Sequence, residues 1–190
     1  MISAGSLAKG PNNVQEAKKI VELYTPYAYT VAYRFTGNHA AAWDLVQNAM
    51  LRVLKSFSSY DASYKVEQWL YRIIANLFID RCRQEKRRKE DPLERDEEEE
   101  RRSHADSLAD PSPTPEQALE SADTRDAVQN ALMTLPPEMR IAVALVDLEG
   151  YSYEEASKIL EIPASTLGVR VFRGRKALKS ELRGFMEGKK

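Results

Sequence analysis

The tightest constraint on the fold lies in residues 151–178, YSYEEASKILEIPASTLGVRVFRGRKAL. Ser152 followed three residues later by Glu155 is a capping-box pair, able to satisfy two of the backbone N–H groups that a helix start leaves open. Ala156, Ile159 and Leu160 then fall at i, i+3 and i+4, on one helical face. Pro163 cannot continue that helix and biases Ile162 toward extended backbone. A second helix starting near Ala164–Ser165 puts Leu167, Val171, Gly174 and Leu178 inward. Arg170, Arg173, Arg175, Lys176 and Lys179 fall outside that stripe. Two helices joined by a tight turn, the second apolar on one side and arginine-rich on the other, predict a helix-turn-helix that reads DNA.

A near-neutral chain is an unusual nucleic-acid binder, so the distribution of charge matters more than its sum. The 190 residues carry 28 Lys and Arg against 29 Asp and Glu. Residues 158–190 hold nine basic and three acidic side chains, and residues 80–89 hold six and two. Residues 90–126 hold fourteen acidic and four basic. Two basic patches are thus separated by an acidic bridge. Cys82 is the single cysteine, which excludes an internal disulfide. The longest apolar run, residues 141–146, falls far short of the roughly 20 residues that span a bilayer. With no apolar block behind a charged start, the expected location is the cytoplasm.

Helical periodicity dominates the remainder, and the expected fold class is all-α: two small helical domains joined by a flexible acidic linker. Residues 1–13 read as a frayed tail. The first domain, 14–90, is expected to contain one helix to about Tyr24 and a second from Thr25-Pro26 to Gly37. A third carries Ala42, Leu45, Val46, Ala49 and Val53. An aromatic loop, FSSYDASYK, precedes a long helix with Trp69, Leu70, Ile73, Ile74, Leu77 and Phe78 in its apolar stripe. Residues 91–114, with EEEE and spaced prolines, have too little apolar surface to order themselves. The second domain, 115–187, is expected to have a helix opening at Pro115, a stop at Pro136-Pro137, a helix over 138–148, and the helix-turn-helix.

Two segments together resemble one family. AAWDLVQNAMLRV and WLYRIIANLFIDRCR resemble the conserved second region of bacterial sigma factors. LPPEMRIAVALVDLEGYSYEEASKILEIPASTLGVRVFRGRKAL resembles their fourth region. With these two regions alone, the chain resembles the extracytoplasmic-function (ECF, group four) type of the sigma-70 family. The resemblance implies a factor that binds core RNA polymerase, selects promoters and assists their opening. It implies that Asp44, Leu45, Gln47, Asn48 and Arg52 meet the β′ coiled coil, with the β flap a further polymerase contact. Tyr60, Tyr64, Trp69, Arg72, Asn76 and Arg83 are implied at the minus-ten element. For Trp69 the competing role is a core aromatic, and for Tyr60 and Tyr64 it is loop packing. Ser165, Thr166, Arg170, Arg173 and Arg175 are implied at the minus-thirty-five element. An anti-sigma protein is the further partner implied, and no cofactor is.

Three positions depart from the family pattern: Trp43 and Asn48 replace glutamates, and Gly168 replaces a lysine or other polar residue. The alternative function is a stand-alone helix-turn-helix regulator, which would need neither the polymerase-docking segment nor the minus-ten helix. An enzyme is not expected. His39 and His104 are far apart, Cys82 has no base-and-orienter partners, and no metal-ligand spacing or glycine-rich phosphate loop occurs.

Overall fold

The computed structural model describes residues 13–90 and 115–187. The expectations for the tail and for the acidic linker at 91–114 lie outside the described residues. Seven α-helices follow in order: α1 (Asn13–Thr36), α2 (His39–Ser56), α3 (Val66–Glu90), α4 (Pro115–Met133), α5 (Pro137–Val143), α6 (Tyr153–Leu160) and α7 (Ala164–Glu187). A 3-10 turn, Phe57–Ser59, follows α2, and a π-helical turn, Ala144–Leu148, continues α5.

Local chemistry explains most boundaries. Asn38 caps α2, its side-chain oxygen accepting from the Ala41 N–H at 3.0 Å. Gly37 ends α1 at φ +64°, where a side chain would be strained. Gly150, at φ +76°, closes the stretch after α5 in the same way. Two expectations need correction. The break at Thr25-Pro26 is absent, and α1 runs through with Pro26 inside it. There the Thr25 hydroxyl donates to the Val21 carbonyl at 2.6 Å rather than capping a new helix. The helix expected over 138–148 changes to π geometry after Val143, so its last turn takes an extra residue.

The first unit, α1–α3, buries Val31, Phe35, Val46, Val53, Leu70, Ile74 and Phe78 together. The second, α4–α7, builds on Leu132, Leu135, Leu145, Ile159, Leu167 and Val171. Leu145, Ile159, Leu167 and Val171 join the core of the first unit, whereas Leu132, Leu135 and Val143 form a smaller cluster of their own. Tyr71 of α3 is fully buried between them, and its hydroxyl donates to the Ile141 carbonyl of α5 at 2.8 Å. Arg34 of α1 pairs with Glu149, and Arg72 of α3 pairs with Glu161. The Gln129 amide donates to the Tyr33 carbonyl at 3.1 Å.

Arg140 ties these pieces together. It is only 9% exposed and donates to the carbonyls of Phe35, Met133 (2.9 Å) and Leu135 (3.0 Å). A helix end leaves its last carbonyls without partners and carries partial negative charge. One guanidinium therefore closes the C-terminal ends of α1 and α4, one from each unit. It also lies 5.6 Å from the centre of the Phe78 ring, a cation–π contact that partly compensates its desolvation.

Tyrosines near this junction resist ionisation. Burial pushes the Tyr151 phenol up to about 12, with Glu67 and Glu149 adding repulsion. Tyr27 and Tyr71 are raised for the same leading reason, burial. A phenol whose pKa is raised by packing holds its proton longer in the folded state than in the unfolded one. Its contribution to stability is full below about pH 10, the free phenol's value, and disappears as pH rises through the folded value. In an ultraviolet titration we expect part of the tyrosine signal to appear only as helicity is lost. Complete ionisation near pH ~10 with intact circular dichroism would contradict this packing.

Candidate functional site

Three outward faces carry the residues of interest. On α2, Ala42, Leu45, Val46, Ala49, Met50 and Val53 point into the core. Helical spacing then leaves Asp44, Gln47, Asn48 and Arg52 exposed on the other side. Leu45, expected among the docking residues, is 3% exposed, so it anchors the helix from within and presents no surface. The Asn48 amide donates to the Asp44 carbonyl at 2.9 Å. Trp43 stands exposed beside Asp44, with its ring 4.7 Å from that of Tyr29. Tyr33 and His39 extend this aromatic cluster, in which the Tyr29 hydroxyl meets His39 Nδ1.

The second face lies on α3. Arg72, Asn76 and Arg83 fall at i, i+4 and i+11, within one stripe of the helix. Asn76 and Arg83 are exposed, whereas the Arg72 guanidinium is held by Glu161 in the helix-turn-helix turn. Trp69 is 6% exposed, packed 4.8 Å from the Tyr60 ring and 6.2 Å from Phe57, and serves the core. Tyr60 stacks on Phe57 and donates its hydroxyl to the Tyr64 carbonyl at 2.5 Å, which closes the loop on itself. Tyr64 is partly exposed. Burial raises the Cys82 thiol's pKa despite the nearby Arg140 and Arg81, so it is not an activated thiolate.

The third face is the helix-turn-helix itself. The capping box forms as the sequence predicts: Ser152 Oγ accepts from the Glu155 N–H at 3.2 Å, and Glu155 Oε2 accepts from the Ser152 N–H at 3.0 Å. Glu161 turns the chain in the left-handed region at φ 53°, and the Ile162 N–H donates back to the Ser157 carbonyl at 3.1 Å. Leu167, Val171 and Gly174 then face inward. At Gly174 a Cβ would come within 2.5 Å of Val143 Cγ2, so the glycine lets α7 lie close against α5.

Ser165, Thr166, Arg170 and Arg173 line one open groove with Pro136, Glu138, Met139 and Val169. Arg175 is elsewhere: its Nε and Nη2 grip the Asp147 carboxylate at 3.1 and 2.6 Å, and its guanidinium lies 6.0 Å from the Tyr153 ring centre. That hydrogen-bonded pairing raises its pKa. The sequence reading overlooked two residues on the exposed side of α7, Val169 (49% exposed) and Phe172 (71% exposed). Their signal was available, since neither falls on the inward spacing 167, 171, 174 and 178.

Residues 20–88 match the family description "Sigma-70 region 2" and residues 125–178 match "Sigma-70, region 4". The chain is 34% identical over 164 residues to the ECF RNA polymerase sigma factor SigW of Bacillus subtilis, covering 86% of this chain and 87% of that one. The chain belongs to the ECF sigma factors of the sigma-70 family. It is also 36% identical over 164 residues to ECF RNA polymerase sigma factor SigE of Mycolicibacterium smegmatis, but spans only 60% of that relative's length. Among solved structures, the sigma factor RpoE in complex with the anti-sigma factor NepR from Bartonella quintana superimposes with a TM-score of 0.68. It is 24% identical, with 90% of this chain and 98% of that one covered, and it supports the fold. In this ECF sigma factor the region 2 match spans most of α1–α3. The region 4 match runs from within α4 to Leu178 in α7. No helix among the described residues is long and apolar enough to cross a membrane.

Proposed function

We propose that this ECF sigma factor binds core RNA polymerase, directs it to specific promoters and assists their opening in the cytoplasm, acting as an initiation factor and not as a catalyst. The observation that carries the proposal is the pairing of two family regions in one chain, each with an exposed polar helix face. On α2, Asp44, Gln47, Asn48 and Arg52 form the surface for the β′ coiled coil, with Leu45 as its internal support. On α3, Arg72, Asn76 and Arg83 approach the minus-ten element, as guanidinium for phosphate and amide for a base edge. Tyr64 is the loop aromatic best placed to stack on an unpaired base. Tyr60 and Trp69 hold that loop and helix in shape. On α7, Ser165, Thr166, Arg170 and Arg173 approach the minus-thirty-five element, and Arg175 fixes the helix from its flank. The second unit meets the β flap, and an anti-sigma protein restrains the factor.

Arg72 is bound to Glu161 across the two units, so its use on DNA requires that contact to part. The exposed pair has little strength of its own, because surface ion pairs contribute about 0–1 kcal/mol. Polymerase binding is the natural source of the energy that separates them.

Polymerase binding provides the direct test. Replacing Asp44 and Gln47 together by alanine should weaken the complex with purified core polymerase about tenfold, while helicity is retained because both side chains are exposed. Tight binding of free duplex without polymerase, and no complex with core enzyme, would instead favour a stand-alone regulator.

A further inference from the structure

Met133, the last residue of α4, places its sulfur in the joint between the two units. There it faces bare backbone at Gly37, in the turn between α1 and α2. A Cβ at that glycine would stand 2.5 Å from Met133 Sδ and 2.9 Å from its Cγ. Two donors also meet the sulfur, Arg140 Nη1 at 3.4 Å and the Gln129 amide at 3.9 Å. Both are already engaged with the end of α1. Arg140 Nη1 donates to the Phe35 carbonyl, and the Gln129 amide donates to the Tyr33 carbonyl at 3.1 Å. A thioether is a weak acceptor and leaves those bonds in place. The sulfur therefore fills a close contact without competing for the hydrogen bonds around it.

The same geometry makes the joint sensitive to one added atom. Met133 is partly exposed, so a small oxidant can reach it, whereas Met50 is buried. We propose that Met133 is a reversible oxidation site, at which conversion of the thioether to a sulfoxide releases α4 from the first unit. With hydrogen peroxide, the sulfur lone pair attacks one oxygen as the O–O bond breaks. An S–O bond forms and sulfur loses two electrons; the departing hydroxide takes the proton of the transferred oxygen and leaves as water. The new oxygen is polar and a far stronger acceptor than the sulfur. With a hydrogen bond of about 2.9 Å to that oxygen, the guanidinium is pushed off its place beside the sulfur and away from Phe35. The Gly37 backbone limits how far the sulfur can give way instead. Oxidation also sets a polar group against the small apolar cluster of Leu132, Leu135 and Val143, on which Met133 packs. Cys82 is the poorer sensor, since burial raises its thiol pKa and oxidation proceeds through the thiolate.

The joint forms in the free chain, so the test needs neither polymerase nor DNA. The full chain is treated with hydrogen peroxide, and peptide mass spectrometry reads the fraction of each methionine that has gained an oxygen. Met133 should react ahead of Met50. The thermal midpoint should fall in step with Met133 oxidation, by about 2–6 °C, the loss of one or two hydrogen bonds in a chain of this size. Amide hydrogen exchange should quicken first at residues 33–37 and 129–135, the two sides of the joint. Methionine sulfoxide reductases with dithiothreitol should restore both readings. Met133→Leu keeps a similar volume and should not respond to peroxide. The double variant Met139→Leu, Cys82→Ala should respond as the natural chain does, and it carries the test even if Met133→Leu does not fold.

Three outcomes overturn the inference: Met133 still unoxidised when Met50 has reacted, full Met133 oxidation with midpoint and exchange unchanged, or a response that persists in Met133→Leu or disappears in the double variant.

Discussion

Replacing Arg140 with leucine should lower the unfolding free energy by about 3 kcal/mol. The expectation follows from what the guanidinium leaves behind. Three carbonyls, at Phe35, Met133 and Leu135, lose their donor at helix ends packed away from water. Each unsatisfied buried group costs about 1–3 kcal/mol, but some will rotate toward solvent, so the sum is below the maximum. Burial works in the opposite direction by pulling the Arg140 pKa down, a sign that the charge is expensive where it sits. Leucine relieves that cost, which also keeps the net loss near the lower figure. For a chain of this size the melting temperature should fall by about 6–12 °C. Lysine should not rescue, because a single ammonium cannot reproduce the planar fork across two helix ends. A thermal midpoint unchanged in Arg140→Leu would show that the two units do not depend on this clamp.

Arg173→Ala should produce the largest loss of promoter affinity from a single exposed residue. Arg173 lines the groove with Ser165, Thr166 and Arg170, and in the described structure no acidic side chain pairs with it. A bidentate contact to guanine is worth about 1–3 kcal/mol, roughly 5- to 150-fold in affinity. Anisotropy titration of labelled promoter with holoenzyme provides the measure. If Arg173 instead meets phosphate, affinity falls evenly across sequences and the salt slope shallows by about one. Arg175→Ala gives the contrast. Its guanidinium is spent on Asp147, so the effect should appear first in stability and only weakly in affinity. No change in binding for Arg173→Ala would remove α7 as the reader.

The elements that were legible in the sequence are those whose causes are local. Ser152 and Glu155 specify a helix start through a reciprocal hydrogen-bond pair, and both bonds are present. The stripe at Leu167, Val171 and Gly174 fixes which side of α7 faces in. Gly37, which ends α1 in the left-handed region, likewise acts within a few residues, whereas the Asn38 cap of α2 was not read from the sequence. Thr25-Pro26 misleads because its signal is also local while the answer is not. Val31 and Phe35 beyond it and Ala17 and Ile20 before it join one core, and that packing carries the helix past the proline.

The candidate site was less legible wherever burial or pairing spans the two units. Leu45 and Trp69 belong to family motifs, but a motif does not say which of its members hold the helix and which leave it. Arg72 with Glu161, and Arg140 with Phe35, join residues 89 and 105 positions apart. No periodicity in either segment registers such a partner. Phe172 is the opposite case, an apolar residue off the inward spacing, whose exposure becomes informative only once the rest of α7 is seen to be packed.

The most direct measurement of the central claim is transcription by purified core RNA polymerase from a promoter library, with and without this chain. The expected result is selective initiation at a small set of start sites that appears only when the chain is added, and that fails when Asp44 and Gln47 are both replaced by alanine. Initiation indifferent to the chain, with no complex between chain and core enzyme, would contradict the function proposed.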